Sequence, residues 1–222
     1  IHPPLANVLA AAPLLLDPSL PDPRSIGGWE IASLSAVTDE TVWKHRPQDT
    51  IALAGRLPII LLAVLLGAFV YRWAADLAGS QAGRLALFLY ALDPNIVAHA
   101  QVITTDMGVT VFGFAALYCC YKYQISNIKY QKRWLVGAGA LLGAALATKV
   151  SAGLLAPLAA LIVLRAGQGR AAQRMARVVA LGLIACVVLW AAYGFEVGRV
   201  PGAPFPVPAA THWKIYQSLL QH

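Results

Sequence analysis

A lone lysine interrupts the most apolar part of the sequence and is the side chain best suited to chemistry. Lys149 stands in the run ATKVS and carries the one charge between residues 134 and 164. An ammonium group in apolar surroundings needs an anion, a cluster of carbonyls or water. One interpretation is a cation that meets a phosphate or carboxylate at the membrane surface. The alternative is a snorkelling or loop-tip lysine.

A second group of polar residues lies upstream, between two apolar stretches. Asp106 follows Thr105 at a predicted helix start, where a carboxylate caps the helix, supports a site, or does both. Asp93 precedes a proline and is suited to start a turn. His99 is suited to an interfacial contact, proton transfer or a ligand role. Together with the lysine, this set exceeds what lipid-exposed loops require.

Two further candidates lie nearer the beginning of the sequence. His2 precedes a Pro-Pro step that fixes the direction of its imidazole, or it simply starts a helix. Arg56 opens an apolar helix and either anchors it to lipid headgroups or binds a phosphate. A divalent metal held by His2 or His99 with a carboxylate stays open, because the spacing does not establish it. The patterns GxSxG, HExxH, CxxC and Walker A are absent, so a protease or P-loop ATPase is unsupported.

The composition indicates that lipid is the solvent for most of these residues. The chain is 59% hydrophobic and 12% charged, whereas a soluble domain carries about 25% charged residues. The apolar stretches 57–77 and 178–195 each approach the roughly 20 residues that cross a bilayer core. We therefore predict an all-α, polytopic transmembrane helical bundle in the cell membrane. The net charge of +7 fits basic cytoplasmic loops, so nucleic acid is not an expected partner.

Two basic loops predict how the candidates are positioned. The loops at 122–133 and 165–177 should both be cytoplasmic. One helix over residues 134–164 would measure about 46 Å, against roughly 30 Å of hydrocarbon, and would separate the two loops. Two short helices joined near Lys149 satisfy both constraints. Residues 82–123 form a similar hairpin, and its outer tip carries the polar group.

The charges follow the same division. Ten of the 17 basic residues fall on the predicted inner side, and nine of the ten acids fall outside or at an outer tip. Asp76 is the acid that does not. Carboxylate chemistry is therefore expected at the outer face.

The remaining segments complete a single predicted transmembrane domain over 1–222. Because the sequence opens abruptly at Ile1, it is interpreted as the central part of a longer protein. Residues 3–16 suggest an interfacial helix, 17–50 a water-facing outer loop, and 197–222 the start of a second, proline-rich outer segment. A short turn is predicted at 79–81.

Two sets of small residues are predicted to serve packing. Glycines at helical spacing allow close helix contact. The cysteines show neither metal spacing nor a disulfide framework, so all three are predicted to be small core residues. The two sets are Gly137, Gly139 and Gly143, and Cys119, Cys120 and Cys186.

Several short motifs occur in an order that resembles one family. They are HPPL at 2–5, ALDPN at 91–95, AH at 98–99, TTD at 104–106, ATK at 147–149 and WAAYGF at 190–195. The set resembles bacterial phospholipid-carrier-dependent glycosyltransferases, relatives of the protein O-mannosyltransferases and the lipid A aminoarabinose transferases. The resemblance implies a GT-C fold with short paired helices. It also implies transfer of a sugar, typically with inversion, from a polyprenyl-phosphate carrier to an acceptor at the periplasmic or exterior face.

The resemblance also implies roles for particular residues. The general base of such enzymes usually lies upstream of HPPL, so it is expected before Ile1 and is not named here. His2 and Asp106 are supporting catalytic candidates, at the edge of the site and at the acceptor pocket. Lys149 is expected near the carrier phosphate. The other candidates for substrate binding are Arg56, Asp93, His99 and Thr105.

One position departs from the related mannosyltransferases. Asn7 stands where they typically have lysine, so a phosphate contact would be lost there. This departure keeps open a non-catalytic structural or assembly subunit of a larger membrane complex. A transporter is a third alternative, because broken helices and intramembrane charges also occur there.

Overall fold

The apolar sequence folds into a series of helices that run back and forth along one another. The computed structural model describes residues 3–22, 25–26, 34–44, 48–166, 169–195, 198–199 and 206–207. The helices are α1 (Leu5–Ala11), α2 (Leu34–Thr38), α3 (Gln48–Ala91), α4 (Pro94–Ala100), α5 (Thr105–Ile125), α6 (Ile128–Leu146), α7 (Leu155–Ala166) and α8 (Ala171–Ala192). Short 3₁₀ helices span Ala12–Leu16 and Val150–Leu154, and a π-helical turn spans Asp39–Trp43. The prediction of an all-α bundle is confirmed.

Extended structure is limited to one small pairing in the described part of the chain. Strands β1 (Gly198–Arg199) and β2 (Pro206–Val207) pair antiparallel, within the proline-rich segment. Most of the predicted second outer segment lies outside the described residues.

The first two residues, Ile1 and His2, also lie outside the described residues. Two expectations depend on this end of the sequence. They are the general base expected upstream of Ile1 and the supporting catalytic role of His2, and both stay predictions.

Helix α3 is a hairpin of two antiparallel arms. Gly79 has φ +85°, a left-handed conformation that glycine adopts without a Cβ clash, and it breaks the helix at the turn expected from the sequence. After the break, the Tyr90 hydroxyl donates to the Ala63 carbonyl at 2.6 Å. A Cβ on Gly83 would lie 2.9 Å from the Tyr71 carbonyl oxygen. Residues 80–91 therefore return along the first arm.

The first arm begins earlier than its sequence suggests. The sequence placed Arg56 at the opening of this helix, whereas the helix begins at Gln48. Residues 48–54 contain neither glycine nor proline, and Asp49 lies in the first turn, where a carboxylate favours the helix N-terminus.

Helices α4 and α5 meet at a sharp bend of 116°. Asp93 caps α4, since its carboxylate accepts from the backbone N–H groups of Asn95 at 2.8 Å and Ile96 at 3.1 Å. Two helices of the described chain, α3 and α8, are long and apolar enough to cross a membrane, and the count is three if α4 and α5 form one bent span.

Helices α5 and α6 form a second hairpin, with Ser126 and Asn127 at its turn. Helix α8 packs on α6 through glycines: a Cβ on Gly143 would lie 2.5 Å from the Ala185 carbonyl oxygen, and one on Gly139 would lie 2.9 Å from Ile184 Cβ. The predicted close approach at these glycines is confirmed.

Helices α6 and α7 form the third hairpin. The chain leaves α6 after Leu146, passes through residues 147–149 and enters the 3₁₀ helix that leads into α7. The break near Lys149 is therefore where the sequence predicted it.

Candidate active site at the hairpin tips

Lys149 and Asp106 form an ion pair, with Lys149 Nζ 2.6 Å from Asp106 Oδ1. Asp106 is in the first turn of α5, and Lys149 follows the end of α6. The two helices are antiparallel neighbours of 21 and 19 residues, about 31 Å and 28 Å long, so these two ends lie at the same level. The α5–α6 hairpin thus brings together two charged side chains that are 43 residues apart in sequence.

Hydrogen bonds fix the backbone of residues 147–149. The Ala147 carbonyl accepts from the Leu5 N–H at 2.9 Å, which ties the PPL segment to this tip. Thr148 is fully buried, and its hydroxyl donates to the Ala145 carbonyl at 2.6 Å. Its methyl group packs on Gly108 of α5, where a Cβ would lie 3.0 Å away. Lys149 itself is extended and caps the following 3₁₀ helix.

The ion pair is neither fully buried nor free in solvent. The side chain of Lys149 is 32% exposed and that of Asp106 is 42% exposed. Thr105 beside it is buried, and the hydroxyl of the cap residue Thr104 is buried with no hydrogen-bond partner among the described residues. An anion arriving from outside the bundle can therefore reach the ammonium group.

An apolar pocket of about 460 Å³ adjoins this tip. Leu146 and Val150, which flank the segment of Lys149, line one side of it. The complete lining is Pro3, Leu146, Val150, Cys186, Leu189, Trp190 and Tyr193. Burial raises the pKa of the Tyr193 phenol above its usual value. The pocket suits an apolar chain attached to a polar group at the tip.

Cys186 is exposed and lines this pocket, so its prediction as a core residue is wrong. Cys119 and Cys120 are buried, as predicted. The difference arises because α8 packs with one face on α6, and Cys186 lies on another face.

The other candidates are more dispersed. Asp93 caps α4, Arg56 is exposed near the start of α3, and His99 is exposed in the last turn of α4. Across the described ranges, no hydrogen bond or ion pair joins these three to Lys149 or Asp106. The same ranges contain no group of three His, Cys, Asp or Glu side chains suited to a metal ion.

These features define a multi-pass helical membrane protein with a charged site at its hairpin tips. The chain matches the dolichyl-phosphate-mannose-protein mannosyltransferase family over residues 49–193, about two thirds of its length, and it belongs to that family. The family consists of membrane glycosyltransferases of the GT-C kind, which confirms the resemblance found in the sequence motifs. No curated protein and no solved structure matches the chain.

Proposed function

We propose that this protein transfers a sugar from a polyprenyl-phosphate carrier to an acceptor hydroxyl at the outer face of the membrane. The observation that carries the proposal is the ammonium of Lys149, held 2.6 Å from Asp106 at a hairpin tip beside an apolar pocket. The family to which the chain belongs is named for enzymes of dolichyl-phosphate mannose, a lipid-linked sugar.

In the proposed reaction, the acceptor oxygen attacks the anomeric carbon of the sugar. The bond from that carbon to the carrier phosphate oxygen breaks, and its electron pair stays on the phosphate. The phosphate therefore gains charge in the transition state, where a positioned cation stabilises it. Lys149 supplies that cation.

The acceptor hydroxyl loses its proton to a carboxylate base. Asp106 is the partner of Lys149, so we assign it the role of orienting the ammonium group rather than of the base. Orientation matters because a cation contributes most where it already faces the developing charge.

The pocket accounts for the lipid part of the donor. Its lining offers aliphatic and aromatic side chains, among them Leu146, Val150, Trp190 and Tyr193. A pocket of about 460 Å³ holds only the first part of a long isoprenoid chain, and the rest would extend into the bilayer.

The test is a transfer assay on the full-length protein with a series of radiolabelled sugar donors. We expect transfer from a long-chain polyprenyl-phosphate sugar and little from the soluble sugar phosphate. Equal rates with both donors would refute the role of the pocket. Absence of transfer from all lipid-linked sugars, with purification in fixed stoichiometry with a larger complex, would instead support the assembly-subunit alternative.

A further inference from the structure

A second charged cluster lies at the opposite end of the bundle from Lys149. Asp76, near the end of the first arm of α3, is 16% exposed and accepts from the Tyr118 hydroxyl at 2.8 Å. Lys122 Nζ lies 3.2 Å from Asp76 Oδ2, and Arg72 Nε lies 3.3 Å from Asp76 Oδ1. One carboxylate thus binds two cations.

A third cation, Arg133, joins this cluster by a cation–π contact with the ring of Trp134. The guanidinium carbon of Arg133 lies 4.9 Å from the centre of the Trp134 ring, and Lys122 Nζ lies 5.8 Å from the same ring. The ring of Tyr118, which binds Asp76, is 6.2 Å from Trp134. The cluster therefore contains three cations, two aromatic rings and one carboxylate.

The cluster has an excess of positive charge at the border of an apolar bundle. Because the cluster holds one carboxylate and three cations, it keeps a net positive charge, which attracts an anion from outside. The side chain of Arg72 is 64% exposed, and Arg133 is exposed as well. The anion would reach both of them from the surface.

The position of the cluster points to a lipid as the source of that anion. Lys122 is in the last turn of α5, about 24 Å along the helix from Asp106. Trp73, Tyr121 and Trp134 lie at this level, and such side chains are enriched where a bundle meets the headgroups. Arg72 lies on a helix that is long and apolar enough to cross a membrane, so a phospholipid headgroup would lie beside it.

We propose that Arg72, Lys122 and Arg133 form a binding site for the phosphate of an anionic phospholipid, at the face of the membrane opposite the sugar-transfer site. Arginine binds phosphate through paired N–H groups, and the guanidinium of Arg72, which contacts Asp76 through Nε and also interacts with Tyr118, is 64% exposed. The site is independent of the sugar-transfer reaction.

The test is native mass spectrometry of the full-length protein released from bilayers of phosphatidylcholine and phosphatidylglycerol. We expect the wild-type protein to retain phosphatidylglycerol, and each of R72Q and R133Q to reduce retention about fivefold. The double variant should reduce it further. Wild-type retention by the double variant would overturn the proposal.

The matched control is K132Q, which removes the same charge from the exposed neighbour of Arg133. Retention close to wild type is expected for K132Q. A loss equal to that of R133Q would mean diffuse surface attraction and would overturn the site.

Soluble glycerol phosphate tests the source of the anion. It should leave the bound lipid in place, and displacement by it would overturn the lipid assignment. Thermal unfolding shows whether each variant is folded. If the double variant is unfolded, the proposal is judged from the lipid retention of the single variants.

Discussion

Replacing Lys149 by methionine removes the ammonium group and keeps a side chain of similar shape. Since the two side chains of the ion pair are 32% and 42% exposed, the pair contributes about 1 kcal/mol or less to the free energy of unfolding. In the proposed transfer reaction, the same ammonium faces a phosphate that gains charge, where loss of one donor costs about 2.7–4 kcal/mol. K149M should therefore lower kcat about 100-fold or more and change stability little.

The assay measures transfer of radiolabelled sugar from a polyprenyl-phosphate donor by the full-length protein, with thermal unfolding measured on the same preparation. D106N keeps an oxygen for the ammonium and should lose less activity than K149M. K132M, which removes an exposed lysine at the opposite end of the bundle, is the control. Transfer by K149M at the wild-type rate, or a loss of transfer matched by loss of folded protein, would refute the reasoning.

Three other predictions follow from packing and exposure. G143A should lower the free energy of unfolding by about 2 kcal/mol, because its Cβ would lie 2.5 Å from a backbone oxygen of α8. G182A should be tolerated, because an added Cβ there would meet no atom within 4 Å beyond the adjacent backbone of its own helix. Melting temperatures of the two variants check this. G79A should cost about 1–2 kcal/mol in the same measurement, because φ there is +85°. Cys186 should react with a thiol reagent, and a bound polyprenyl phosphate should slow that reaction while soluble phosphate does not; unchanged labelling would contradict the proposed position of the lipid tail.

The hairpin of α6 and α7 was predictable because charge and length constrain it strongly. Two basic loops on one side leave an apolar stretch that is too long for one crossing, and the lone Lys149 marks its tip. The pairing of Lys149 with Asp106 follows from the antiparallel packing of two helices of similar length. The sequence alone did not pair these two residues, because a helix cap explains an aspartate at this position equally well.

Other parts of the site depend on tertiary packing that no local pattern reveals. The pocket combines Pro3, two residues around the break near Lys149 and one face of α8, which are far apart in sequence. Cys186 looked like a core residue because an apolar helix does not show which of its faces is covered. Near the junction of α4 and α5, Asp106 is part of the ion pair, whereas no hydrogen bond or ion pair among the described residues joins Asp93 or His99 to Lys149.

The cluster around Asp76 had a weak signal in the sequence. Asp76 was the acid that did not lie at the outer side, and Arg72 precedes it by four residues, a spacing that places both on one helix face. Its contacts with Tyr118 and Lys122 span more than 40 residues and required the packing of α3 on α5.

The most direct test of the central claim is the position of a carrier phosphate bound to the full-length protein. A structure with a non-hydrolysable polyprenyl phosphonate should show a phosphonate oxygen about 2.7–2.9 Å from Lys149 Nζ, with the tail against Trp190 and Leu146. A phosphonate bound elsewhere, with Lys149 still closed on Asp106 and the apolar pocket without the tail, would contradict the account.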